Sequence, residues 1–164
     1  MGLFNRRKQN KKYVEIVYEN IELVPLEKMI CDGKEVLLDS TIEEVIKVLG
    51  EPESIYKEDG KNGWRYYYSE FYCGFDKDKK LECIEFLNGH IGKLRPYIYG
   101  VSAFDVKRKE LLDVLKRHDD EIDEFNEDSY SFKNISVGVW KYSGYEDDDH
   151  WTTILIGRKD YYNY

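Results

Sequence analysis

Nowhere in this 164-residue chain does an apolar run approach the roughly 20 residues that a bilayer-spanning helix requires, so no such helix is expected. The segment Met1 to Lys8 carries positive charge but no apolar h-region, and Arg6 stands where a myristoylation signal requires Ser or Thr. The cytoplasm is therefore the expected compartment, and a periplasmic lipoprotein is disfavoured. Cysteine is scarce: Cys31, Cys73 and Cys83 make an odd set with no C-x-x-C spacing, which predicts reduced thiols and no zinc site. Cys73 and Cys83 fall in the two arms of one predicted hairpin and can be cross-strand neighbours. The three histidines, His90, His118 and His150, are not spaced as a helical metal pair. Ser69, Ser102 and Ser136 lack a nucleophile-elbow context, Cys73 has no basic neighbours to lower its pKa, and no glycine-rich phosphate loop is present. Asp76-Lys77-Asp78-Lys79-Lys80 is not a calcium loop, because Lys fills later ligand positions and the Gly and closing Glu are missing. These absences predict no metal, no cofactor and no enzyme. Paired carboxylates abound, but an acidic chain contains them by chance, and no catalytic residue is assigned.

Acid and aromatic residues are plentiful. The formal charge is −8, yet Arg6, Arg7, Lys8, Lys11 and Lys12 crowd the start, so the body beyond them is more acidic than the total. Such a body repels nucleic acid and attracts a basic partner by electrostatic steering. Fifteen tyrosines exceed what a core of this size can absorb, since each buried hydroxyl needs a partner, and several are expected to face water or another protein.

The most informative stretch runs from Ile42 to Phe86. Ile42, Val45, Ile46 and Leu49 mark one helical face, Ser40 or Thr41 can cap it, Glu43 and Glu44 suit its first turn, and Gly50 and Pro52 end it. A meander over 54–57, 64–68, 71–75 and 81–86 follows, with a bulge expected where Leu81 and Ile84 break alternation. The pattern recurs: Asp105 can cap a helix through Val106, Leu111, Leu112 and Leu115, and strands at Tyr130 to Phe132, Val137 to Val139 and Trp151 to Ile156 follow. The fold class expected is α+β: two tandem helix-plus-antiparallel-meander repeats forming a largely antiparallel sheet packed by short helices. Residues 1–12 read as a flexible basic tail, 13–90 as N-terminal strands with the first repeat, and 91–164 as the second repeat, in one compact body. Asn88 to Pro96 reads as the linker. Tyr13 to Tyr18 and Ile21 to Val24 are strand-like, and Leu26 to Ile30 is ambiguous.

Leu49-Gly50-Glu51-Pro52, an aromatic strand and then Phe75 to Leu81 resemble the repeat of tandem β-lactamase-inhibitor-like proteins. Phe104-Asp105, Ser136 to Trp140 and Gly157 to Tyr162 resemble small cytosolic immunity proteins of bacterial toxin systems. The resemblance spans roughly Leu37 to Tyr162. It implies a helix-and-sheet scaffold that binds another protein, without catalysis, and it transfers no contact residues. Acidic runs lie at Asp119 to Asp128 and Glu146 to Asp149, and Trp140, Tyr142 and Tyr145 lie near the second in sequence. Exposed aromatics beside acid suit a basic, protein-sized partner such as a toxin domain. The contacts expected are Trp140, Tyr142, Asp147, Asp148 and Asp149, with Glu121, Asp123 and Glu124 behind them. The alternative is a non-enzymatic module that holds a housekeeping protein or a small ligand. Oligomeric state is open, because an exposed edge strand can pair two copies.

Overall fold

The computed structural model describes residues 18–58, 63–144, 146–147 and 149–163. The basic tail at 1–12, the strand-like residues 13–17, the contact candidate Asp148 and the neighbouring Tyr145 lie outside the described residues.

Three short strands open the fold: β1 (Ile21–Val24), β2 (Lys28–Cys31) and β3 (Lys34–Leu37). Helix α1 (Ile42–Leu49) follows, capped by a box in which Glu44 N–H donates to Thr41 Oγ1 at 3.2 Å and Thr41 N–H donates to Glu44 Oε2 at 2.8 Å. It ends at Gly50, whose φ of 82° suits a residue without Cβ. The chain then runs through β4 (Ser54–Lys57), β5 (Trp64–Tyr68), β6 (Phe71–Phe75) and β7 (Leu81–Phe86). A 3-10 turn at Gly89–Ile91 leads to β8 (Pro96–Ile98) and β9 (Val101–Ser102). Helix α2 (Arg108–Lys116) precedes β10 (Ile122–Asn126), β11 (Ser129–Phe132), β12 (Val137–Trp140) and β13 (Thr153–Gly157).

These strands form two sheets, one of five strands ordered β3-β2-β1-β8-β9 and one of eight ordered β10-β11-β12-β13-β7-β6-β5-β4. The large sheet is antiparallel throughout, as two four-stranded meanders joined where β13 pairs with β7. In the small sheet β1 and β8 pair in parallel. This corrects the α+β expectation. Strand accounts for 41% of the described residues and helix for 14%, the latter in two α-helices of eight and nine residues and the 3-10 turn. The physical reason is the small sheet: the segments at 21–37 and 96–102 do not serve as lead-in and linker but pair with each other. The alternating pattern Ile21, Leu23, Met29, Cys31, Val36 and Ile98 gives that sheet one buried face, which shares a single apolar core with the large sheet. Both pairings, β1 with β8 and β7 with β13, cross the position 90/91 at which the two sequence segments were divided.

Within the large sheet, Gly74 pairs with Cys83 and Phe75 with Leu81, so Glu82 is the extra residue of a bulge. The bulge lets both Leu81 and Ile84 be buried. Cys73 faces Ile84 and points to the core, whereas Cys83 lies with Tyr72, Leu155 and Tyr162 on the opposite face. All three cysteines are free and buried, and burial pushes the Cys31 and Cys83 thiols up to about 12. On that opposite face Tyr161 and Tyr162, edge-to-face at 5.0 Å, pack against Gly157 and Gly138 respectively, where a Cβ would collide with the Tyr161 side chain and the Tyr162 hydroxyl. Beside them the Tyr72 hydroxyl donates to the buried Glu85 carboxylate, whose pKa burial raises.

The second helix starts later than its sequence promised, at Arg108 with Lys107 as an N-cap that makes no side-chain bond. Asp105 is engaged elsewhere, accepting from Ser102 Oγ at 2.5 Å and pairing with Arg95 Nε at 3.1 Å. The turn Asp76 to Lys80 is a charged hairpin. Asp76 Oδ1 accepts the Asp78 and Lys80 N–H groups at 2.9 and 3.0 Å, while Arg158 Nη1 sits 2.7 Å from Oδ2. Burial alone would raise the Asp76 pKa, but the hydrogen bonds from Lys80 and Arg158 hold it below the usual carboxylate range. A depressed folded pKa means that Asp76 stabilises above its unfolded pKa and loses that contribution as pH falls through the folded value. Asp76→Ala is therefore expected to cost about 2 kcal/mol at pH 7, with the deficit closing in strong acid, as urea denaturation at the two pH values would report.

Candidate protein-binding site

One end of the large sheet gathers the connection between β12 and β13, the hairpin turn between β10 and β11, and the start of α2. The base of the β12–β13 connection is pinned by its own backbone: Thr152 N–H and Oγ1–H donate to Trp140 O at 3.2 and 3.1 Å, and Tyr142 N–H donates to Thr152 Oγ1 at 2.9 Å. Arg108 then ties all three segments together. Its N–H donates to Asp149 O at 2.7 Å, and its Nη2 lies 2.5 Å from Glu127 O and 2.7 Å from Asp128 Oδ1. Its guanidinium lies 4.5 Å over the ring of Trp151, whose Nε1–H donates back to Arg108 O at 3.1 Å. A salt bridge of this kind, with Arg108 20% exposed, holds position more than it adds net stability.

The acids at this end fall into two kinds. Asp147 is committed internally: Oδ1 accepts the Asp149 N–H at 2.8 Å and Oδ2 meets His150 Nδ1 at 2.6 Å. The Asp149 N–H and then His150 lower its pKa. His150 in turn stacks on His90 at 4.5 Å and 10°, and His90 Nδ1 stands 3.6 Å from Asp105. Glu146 and Asp149, in contrast, are exposed, and their carboxylates make no hydrogen bond or ion pair among the described residues. Tyr142 is 44% exposed beside them. Trp140 is half-buried, with one flank against the outer cluster of Tyr72, Cys83, Leu155 and Tyr162. Its other surroundings form a shallow open cleft of about 580 Å³ lined by Asn126, Glu127, Asp128, Ser129, Trp140, Lys141 and Ser143.

The structure thus brings Trp140, Tyr142, Asp147 and Asp149 together. It does not bring Glu121, Asp123 and Glu124 to them. Asp123 pairs with Ser131 across β10–β11 and forms an ion pair with Lys133 at 3.2 Å, and Glu124 accepts from the Tyr130 hydroxyl at 2.9 Å. Glu121 precedes β10 at the far end of the strand, about 17 Å along the chain from Asn126. Glu127 and Asp128, part of the same acidic run but at the turn, take their place. The sequence places them in the first acidic run but not among the expected contacts, although a hairpin turn between two strands is where such a pair projects. The chain matches no protein-family model, no curated protein and no solved structure. Among the described residues, no helix is long and apolar enough to cross a membrane.

Proposed function

We propose that this protein binds another protein and inhibits it, most concretely as an immunity protein that occludes a basic toxin domain. The observation that carries this reading is the end of the large sheet, where Glu127 and Asp128 line the cleft beside Trp140 and the β12–β13 connection carries the exposed Tyr142, Glu146 and Asp149. Unpaired carboxylates raise the encounter rate with Lys and Arg, while a half-buried Trp and an exposed Tyr supply anchors of low conformational cost. Occlusion is sufficient for inhibition, and no reaction is needed.

Two other readings find less support. A small-ligand carrier calls for an enclosed apolar pocket, whereas the cleft beside Trp140 is open and edged with acid. The Asp147–His150 pair resembles half of an acid–base dyad. It needs a nucleophile, but the cysteines are buried with raised pKa values and the Ser102 hydroxyl is held by Asp105.

The test is survival of cells that express the C-terminal domain of the neighbouring upstream gene product, with and without this chain supplied in trans. Rescue together with a stable complex supports the immunity reading. A domain that kills equally in both cases removes that domain as the partner and moves the account to the interaction-module reading.

A further inference from the structure

The outer face of the large sheet carries a small apolar cluster of Tyr72, Cys83, Leu155 and Tyr162, separate from the core between the two sheets. Three of its members are strand residues set around Glu85. Tyr72 and Leu155 pair with Glu85 from β6 and β13, and Cys83 stands two positions before it on β7. The fourth, Tyr162, belongs to the segment that follows β13. That segment is pinned at its start, where Arg158 N–H donates to Glu82 O at 2.9 Å and the guanidinium reaches Asp39 and Asp76 at 3.1 and 2.7 Å. Tyr161 then packs on Gly157 and meets the Cys83 thiol, and Tyr162 packs on Gly138.

Glu85 is shut inside this cluster. It is 6% exposed, and the one hydrogen bond it accepts among the described residues comes from the Tyr72 hydroxyl. Burial pushes its pKa up, against the opposing pull of the Tyr72 hydroxyl and the Arg65 cation. The titratable and charged groups facing it are Tyr67 and Arg65 from β5, Tyr72 from β6, Cys83 from β7, and Tyr161 and Tyr162 from the terminal segment. The strands β13 and β12 offer Leu155, Gly138 and Trp140, which do not titrate. Arg65 is itself paired with Glu58 at 2.5 Å, so it offsets a charge on Glu85 only in part.

The cluster also touches the acidic end of the sheet. A Cβ at Gly138 would stand 3.1 Å from Tyr162 Cζ and 3.3 Å from Trp140 Cζ3, so the two rings meet over bare glycine backbone. The pose of Trp140, which lines the cleft there, thus depends on Tyr162 being in place.

We infer that residues 158–163 are a pH-sensitive strap, which closes over a protonated Glu85 and sets Trp140 against Tyr162, and which lifts more readily once Glu85 is ionised. An ionised Glu85 gains water when the strap lifts, whereas a protonated one loses little by staying dry beside Tyr72. The closed strap therefore holds the proton more tightly than the open one. Closure is strongest below the ordinary Glu value of 4.5 and weakens as pH rises from there through the higher Glu85 value of the closed state. Its bearing on partner binding rests on the reading proposed above, but the strap is tested on the chain alone.

Two nuclear magnetic resonance measurements on the full chain decide it. The first follows the Glu85 carboxyl carbon against pH. Its midpoint is expected above the ordinary Glu range in the wild type and about one pH unit lower in Tyr162→Ala, where water reaches the carboxyl. An equal midpoint in the two proteins overturns the inference. The second follows amide exchange at Tyr161, corrected for the intrinsic rate at each pH, together with the Trp140 indole N–H signal. In the wild type, protection is expected to fall about tenfold between roughly pH 4.5 and pH 8, with the Trp140 signal moving in step. Glu85→Gln keeps an acceptor for Tyr72 but carries no charge, and should hold both constant. A wild type with no fall overturns the inference, and so does a fall of equal size in the Glu85→Gln protein. Should Tyr162→Ala fail to fold, the Glu85→Gln comparison decides alone.

Discussion

Trp151→Ala is expected to lower stability by about 4 kcal/mol, a fall of roughly 12 °C in Tm for a chain of this size. Trp151 is fully buried and is among the largest buried side chains of the protein. Truncation leaves a cavity beneath Tyr130, which meets the indole edge-on at 5.9 Å, and strips the Arg108 carbonyl of its indole N–H donor. It also removes the ring under the Arg108 guanidinium, the group that ties α2 to the Glu127–Asp128 turn. Trp151→Phe separates these effects. It keeps most of the volume but not the N–H, and is expected to cost about 1–2 kcal/mol. Guanidinium denaturation measures both variants, and a loss below about 1 kcal/mol for the alanine variant would show that Trp151 does not anchor this end of the sheet.

The second large effect concerns Asp119, an acid that is only 6% exposed. Its Oδ1 accepts Glu121 N–H at 2.9 Å and Asn134 Nδ2–H at 3.0 Å, and its Oδ2 accepts Asn134 and Ile135 N–H at 2.7 and 3.0 Å. The carboxylate therefore joins the exit of α2 to the turn between β11 and β12. Asp119→Ala leaves three backbone N–H groups without their acceptor and is expected to cost about 3–4 kcal/mol. Asp119→Asn retains an acceptor oxygen but turns an NH₂ toward donors, and about half of that loss is expected. Hydrogen exchange at the Ile135 amide should quicken in the alanine variant before global unfolding does. An unchanged Ile135 amide in a destabilised variant would place the loss elsewhere.

What was legible in the sequence was local. The cap at Ser40 or Thr41, the Gly50 stop and the bulge near Leu81 and Ile84 each depend on residues a few positions apart; the structure resolves the cap to Thr41, boxed with Glu44, and the bulge to Glu82. The strands of both meanders were legible for the same reason, except β10, whose acidic residues read as loop and instead form the edge strand Ile122–Asn126. The small sheet was not, because its joining pair sets Ile21 beside Pro96 in parallel, and no local period announces a partner that remote. The same distance hid the stack of His90 on His150 and the diversion of Asp105 from its capping role. Within the acidic run, sequence cannot separate Asp119, buried under four donors, from exposed Asp120. The candidate site was half legible. Trp140, Tyr142 and Asp149 stand together as the acid-plus-aromatic pattern suggested, but Asp147 spends its carboxylate on His150, and Arg108 supplies the organising cation from across the fold.

The central claim is that the acidic end of the sheet steers a basic partner. With a rescuing toxin domain in hand, stopped-flow association of the purified pair tests it directly, comparing wild type with the double variant Glu146→Lys and Asp149→Lys, whose carboxylates make no internal contact among the described residues. The account predicts a wild-type rate that falls steeply with added salt, and a variant at least about tenfold slower at low salt with little change in dissociation. Association that is equally fast in both proteins at low ionic strength would contradict it.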